Sequence, residues 1–195
     1  MIFIQEIYGV FNLDQIDMRS IEFWLNYLPV ERKNKALQFR QEIDKKNCIV
    51  SYLLLIYGIK KKFGIQMPRI ECGDNGKPYL PDLPEIYFNI SHCKKGCICG
   101  IADAPIGVDV QEIRPFSLQI AKYCCTKKEL ELLFQSEEPA RLFTKMWVMK
   151  ESYLKMLGRG ITTKLNDVDT TELENKFLFY MSNDCYIAVA NSKLF

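Results

Sequence analysis

The chain has 195 residues with nearly balanced charge, 26 Lys and Arg against 24 Asp and Glu for a net +2, and 48% of its residues are hydrophobic. That length allows one large domain or two small lobes with ample core, and so small a net charge excludes recognition of nucleic acid by bulk electrostatics. No run approaches the ~18 apolar residues of a membrane span and no basic-then-apolar leader opens the sequence, so the expectation is a cytoplasmic protein whose eight cysteines are reduced thiols rather than a disulfide framework.

In chain order, Ile2–Tyr8 reads as a strand, Met18–Leu28 as an amphipathic helix and Asp44–Phe63 as a long, largely buried helix. Strands follow near Arg69–Cys72, Tyr87–Ser91 and Cys97–Ala102, separated by turns that carry Gly and Pro. The order then recurs. Ile106–Gln111 is the next strand, Ser117–Tyr123, Lys127–Phe134 and Ala140–Leu157 are helices, and Lys176–Met181 and Cys185–Ala190 are strands. Asp103, Ala104 and Pro105 make the expected joint between two lobes, 1–104 and 105–195. Each lobe is a small sheet carrying a long helix, which predicts an α+β fold with the ligand in the cleft between lobes. Cys97 and Cys99 alternate along one predicted strand and act there as small hydrophobes, and the cysteines show no paired spacing suited to zinc.

Two segments carry chemistry. On the helix that includes Phe143 to Leu157, Trp147, Glu151 and Lys155 recur every fourth residue and share one stripe, with Gly158 and Gly160 expected to end the helix beyond them. In Gly107 to Glu112 the strand alternation turns Val108 and Val110 one way and Asp109 and Gln111 the other. An oxygen-rich strand face opposite a helix carboxylate suits a hard divalent cation, because magnesium takes one or two carboxylates and completes its octahedron with waters and substrate phosphates. Asp109, Gln111 and Glu151 are the candidate metal ligands.

Four motifs in order, Gly76-Lys77-Pro78, Phe88 to His92, Gly107 to Gln111 and Trp147 to Lys155, resemble the 4′-phosphopantetheinyl transferases, specifically the surfactin-type branch that activates carrier proteins of nonribosomal peptide and polyketide synthases. The resemblance runs from about Leu28 to Gly160 and implies two pseudo-symmetric lobes in a monomer. It implies coenzyme A as substrate, magnesium (or manganese) as cofactor and an acyl or peptidyl carrier protein as partner. It places the metal on Asp109 and Glu151, Lys155 against the pyrophosphate, Ser91 and His92 near the 3′-phosphate, Lys77 and Pro78 around the adenosine, and Arg32 and Lys35 toward the 3′-phosphate. The implied reaction is attack of a carrier serine on the β-phosphorus with loss of 3′,5′-adenosine bisphosphate. Glu151 is the first candidate for the base, with Asp109 and Lys155 completing the catalytic set.

Three positions depart from the family pattern. Gln111 stands where a third carboxylate is usual, Asn47 where an arginine is common (with Lys45 or Lys46 as its replacement), and Cys93 where a serine often follows the histidine. Glu112 points to the wrong strand face to replace Gln111 without a bulge. Gln111 leaves open an alternative, a protein that binds coenzyme A or a carrier without catalysis, and the magnesium logic alone is shared by nucleotide phosphohydrolases. The stretch from Phe116 to Phe134 is the expected carrier surface, offering Lys122, Lys127 and Lys128 to an acidic partner, with most of its apolar residues expected to face the core.

Overall fold

A computed structural model describes residues 5–73, 76–158 and 164–195. Its two three-stranded sheets have the same internal order. The first consists of β1 (Gln5–Phe11), β5 (Gly96–Ala102) and β4 (Tyr87–His92), with β5 central and both pairings antiparallel. The second consists of β6 (Ile106–Glu112), β8 (Cys185–Asn191) and β7 (Phe177–Ser182), with β8 central and again antiparallel. The expected strand at Ile2–Tyr8 begins within the described residues at Gln5, and its earlier part lies outside them. The architecture is α+β, as the sequence predicts.

Between β1 and β4 the chain forms α1 (Met18–Trp24), α2 (Val30–Gln38), α3 (Glu42–Phe63) and a two-residue pairing of β2 (Glu71–Cys72) with β3 (Pro78–Tyr79). The helix expected over Met18–Leu28 stops earlier, its end tightening into a 3₁₀ turn at Leu25–Tyr27. Between β6 and β7 run α4 (Leu118–Cys124), α5 (Lys127–Gln135), α6 (Pro139–Leu157) and the short α7 (Thr170–Leu173). None of the described helices is long and apolar enough to cross a membrane.

Strand alternation sorts the core into layers. On β5, Cys97, Cys99 and Ile101 join α3 in one core, while Ile98 and Ala102 turn to the opposite face. On β8, Ile187 and Val189 meet Ile98 and Ala102 in a shared central layer, while Ala188 and Ala190 pack with Val148, Met149 and Met156 of α6. The order is therefore helix, sheet, sheet, helix. Val108 and Val110 belong to the central layer, which leaves Gly107, Asp109 and Gln111 on the α6 side of β6. A Cβ at Gly107 would lie 1.9 Å from the Ser152 carbonyl oxygen and 2.3 Å from the Met156 amide nitrogen, so only glycine lets strand and helix come this close.

Strand β6 is an edge of its sheet, yet its outward amides are not left open. Asn89 Oδ1 of β4 accepts from the Val108 N–H at 2.9 Å, and Ser91 Oγ accepts from the Val110 N–H at 3.3 Å. Side chains of one sheet thus take the place of the missing ladder partner in the other, which removes the cost of unpaired buried amides.

Candidate active site

The charged residues meet at this seam. Ser91, His92, Asp109, Gln111, Trp147, Glu151 and Lys155 line one cleft of about 290 Å³. Asp109 is buried, and its Oδ1 accepts from Ser91 Oγ at 2.6 Å and from Lys155 Nζ at 2.6 Å. Lys155 Nζ also donates to Ser91 Oγ at 3.0 Å. Strand β4, strand β6 and the last turns of α6 therefore share one hydrogen-bonded triad. Helix α6 ends at Gly158, which takes φ 66° and returns its N–H to the carbonyls of Leu154 and Lys155. The expected second stop at Gly160 lies outside the described residues.

The electrostatics show two carboxylates in one cleft with incomplete compensation. Burial pushes the Glu151 carboxyl above its usual range, and the Asp109 charge adds to this, while Lys155 opposes it only in part. His92 sits exposed at the rim, and desolvation followed by the Lys155 ammonium pushes its imidazole below the usual range. Gln111 is half-buried beside them. A pair of crowded carboxylates with a neutral amide oxygen alongside is a donor set that fits magnesium, since a divalent ion relieves the repulsion and leaves positions for phosphate oxygens. Glu112 is engaged elsewhere, 3.0 Å from Lys95 and paired with Arg114. It does not line this cleft.

Lys77 and Pro78 line a separate cavity of about 320 Å³ with Tyr87, Phe88, Pro105 and Met156. The Lys77 ammonium is turned into the protein. It donates to the carbonyls of Lys155 at 2.6 Å and Met156 at 3.3 Å, closing the C-terminal end of α6. Burial lowers its pKa. Arg32 and Lys35 line neither cleft. Lys35 is exposed on α2. Arg32 is half-buried, donates from Nη2 to the Cys48 carbonyl at 2.7 Å and lies 5.5 Å from the centre of the Tyr52 ring. Its Nε and the Asn47 Oδ1 are buried without a hydrogen-bond partner. Lys46, a proposed replacement for the missing arginine, is buried and donates to the Asp14 carbonyl at 3.3 Å.

Two findings escaped the sequence reading. Lys150, one residue before Glu151, is fully buried, and its ammonium reaches Glu129 at 2.7 Å and the carbonyls of Leu165 and Val168 at 3.0 and 2.6 Å. Glu129 also closes a capping box with Thr126 and accepts from the amide and hydroxyl of Thr170. The signal was legible in part, as Thr126-x-x-Glu129 is a capping-box spacing. Second, Leu118, Ile120, Tyr123 and Phe134 are exposed rather than core-facing. Amphipathicity over helices this short did not decide which face turns inward.

Comparison with known proteins gives the family. Residues 105–182 match the family described as the 4′-phosphopantetheinyl transferase superfamily, and residues 16–104 match 4′-phosphopantetheinyl transferase, N-terminal. The chain is 30% identical to 4′-phosphopantetheinyl transferase Sfp of Bacillus subtilis (strain 168), over 83% of this chain and 74% of that protein. It is 31% identical to 4′-phosphopantetheinyl transferase psf-1 of Bacillus pumilus, over 78% and 67%, and 24% identical to 4′-phosphopantetheinyl transferase gsp of Aneurinibacillus migulanus, over 87% and 73%. With that identity sustained over most of both chains, the protein belongs to the Sfp-type branch of the 4′-phosphopantetheinyl transferase superfamily, enzymes that move the phosphopantetheine group of coenzyme A onto carrier proteins.

Proposed function

We propose that this chain performs the transfer in the Ser91–Asp109–Glu151–Lys155 cleft, with Asp109, Glu151 and Gln111 holding magnesium and an apo acyl or peptidyl carrier protein of a nonribosomal peptide or polyketide synthase as acceptor. The observation that carries this reading is the convergence of two carboxylates and one ammonium from strand and helix on a single open cleft. When bound, the metal supplies positive charge to the pyrophosphate oxygens as charge develops there. Manganese satisfies the same oxygen donors.

The chain's own residues do the rest. Lys155, now paired with Asp109, swings its ammonium onto the pyrophosphate when coenzyme A enters, since phosphoryl transfer is largely positioning and charge stabilisation. Glu151 accepts the proton of the carrier serine hydroxyl. The hydroxyl oxygen attacks the β-phosphorus and 3′,5′-adenosine bisphosphate departs. Ser91, His92 and Arg32 serve the 3′-phosphate, the Arg32 charge lying near enough to His92 to act on its imidazole. Lys35 adds charge from the exposed side of α2. Pro78 and the cavity beside it take the adenosine, with Lys77 acting through its grip on the end of α6.

Residues 1–104 and 105–195 act as the two lobes of a monomer in this reading. The exposed Leu118, Ile120 and Tyr123 beside Lys122 form the docking surface for an acidic helical carrier. A cytoplasmic location follows from the need to meet both coenzyme A and the synthase.

Incubation of the protein with coenzyme A, magnesium and an apo carrier, followed by weighing the carrier, tests the reading. One added phosphopantetheine group is expected, and chelator abolishes it. No modification across several acyl and peptidyl carriers would favour a protein that binds without transferring, the option Gln111 leaves open.

A further inference from the structure

The central layer between the sheets ends in two thiols that the transfer reaction does not use. Cys93 follows His92 at the end of β4, and Cys185 opens β8. Their sulfurs stand 3.7 Å apart in hydrogen-bond contact although 92 residues separate them along the chain. Cys185 is 0% exposed and Cys93 8%, so the pair meets solvent through the Cys93 side.

The surroundings hold the two sulfurs face to face. Both lie at hairpin turns. The Cys93 N–H donates to the Gly96 carbonyl at 2.8 Å across one turn, and Asn183 and Asp184 adopt positive φ in the other. Lys95 spans the same gap, 3.0 Å from Glu112 and 3.7 Å from Asp184. The two thiols of β5 differ in kind. Cys97 and Cys99 are fully enclosed on the α3 side of β5, where burial pushes both thiols up, Cys97 to about 12. The contact between the Cys93 and Cys185 sulfurs, by contrast, pulls the Cys93 thiol down and, together with burial, pushes Cys185 up. Cys93 is the member of the pair on the solvent side, so it is the sulfur that a small oxidant reaches first, and it reacts as the thiolate.

We propose that Cys93 and Cys185 are a peroxide-sensitive modification site that closes into a reversible disulfide joining the two sheets. The Cys93 thiolate attacks one oxygen of a hydroperoxide. The O–O bond breaks, the departing hydroxide takes a proton and leaves as water (or as an alcohol from an organic hydroperoxide), and Cys93 becomes a sulfenic acid. The Cys185 sulfur then loses its proton and attacks the Cys93 sulfur, the S–O bond breaks and a water leaves. The two sulfurs give up two electrons in all and the peroxide accepts them. A dithiol reverses the step by exchange. Closing from 3.7 Å to the roughly 2.05 Å of a disulfide moves the strand end that carries His92 and the β8 residue paired with Glu112.

The test uses the full chain. Reduced protein is exposed to hydrogen peroxide, quenched, alkylated and digested without reductant. Expected are a mass loss of two hydrogens, a peptide linking Cys93 to Cys185, and a melting temperature raised by several degrees, because the link closes a long loop in the unfolded chain. Dithiothreitol should reverse all three. Cys93→Ser should abolish the link and leave transfer by the reduced protein unchanged. Full alkylation of both thiols after peroxide, a Cys93 sulfenic acid that never resolves, or oxidation confined to the exposed Cys72 each overturn the proposal.

Discussion

Glu151 is held between opposed demands: burial and Asp109 favour its neutral form, whereas Lys155 favours the carboxylate. The net effect raises its pKa in the folded chain, so its contribution to stability is complete in acid and is lost as pH rises through the raised value. In the absence of ligand, Glu151→Gln should melt with the parent in acid, below the ordinary glutamate range, and above it near neutrality, the gap opening as pH rises through the raised value. The same variant should lower kcat by on the order of 10²–10⁴-fold, the usual worth of a positioned base. A melting series across pH and the carrier mass assay read the two effects separately. A variant that melts lower at neutral pH would show Glu151 to be structural. Trp147, four residues earlier, is half-buried and lies 6.0 Å from the Phe143 ring while lining the cleft. Truncating it should therefore cost less stability than the ~3–5 kcal/mol of a fully buried aromatic.

At the scale of elements, α6 works on three sides. One side carries Glu151 and Lys155, a second meets β6 at Gly107, and a third buries Lys150 against Glu129. Gly107→Ala should loosen the β6–α6 contact, because its Cβ would collide with backbone rather than with a yielding side chain. The expected result is lost stability of ~1–3 kcal/mol together with lost transfer, as Asp109 moves away from Lys155. Denaturant melts and the mass assay check both. Lys150→Met leaves the Glu129 carboxylate buried without its ammonium, and should cost ~3–5 kcal/mol in the same melts. The bounds of β5, β6 and α6 are legible in the sequence to within one or two residues because Asp103 to Pro105 part the two strands and Pro139 and Gly158 bracket the helix. Helix α2 is not, since Ala36 alone is fully buried in it. Strand β2 falls inside the expected Arg69–Cys72, whereas β3, with two residues, is too short for a period. The four-residue spacing from Trp147 to Lys155 marks the residues that line the candidate cleft, but the turning of Lys77 onto the end of α6 depends on a contact 78 residues away that no local pattern encodes.

Over the whole molecule, β1, β5 and β4 correspond in order to β6, β8 and β7, and a long helix follows the first strand of each set. Neither set holds a complete cleft. The first supplies Ser91 and His92, the second supplies Asp109, Gln111, Glu151 and Lys155. Ser91 bonds both the Val110 amide that joins the sheets and the Asp109 carboxylate that lines the cleft. In the proposed reading, a ligand that draws on Asp109 would act on the contact between the sheets through this one hydroxyl.

The amides of Val108 and Val110 belong to a strand but are partnered by side chains across the seam. Their exchange with deuterium then times the parting of the two sheets, whereas the ladder amides of β8 time the loss of a sheet itself. Val108 and Val110 should exchange earlier than β8, and saturating coenzyme A should slow those two selectively. Identical exchange at all these amides, with and without coenzyme A, would mean that the molecule opens only as a single unit.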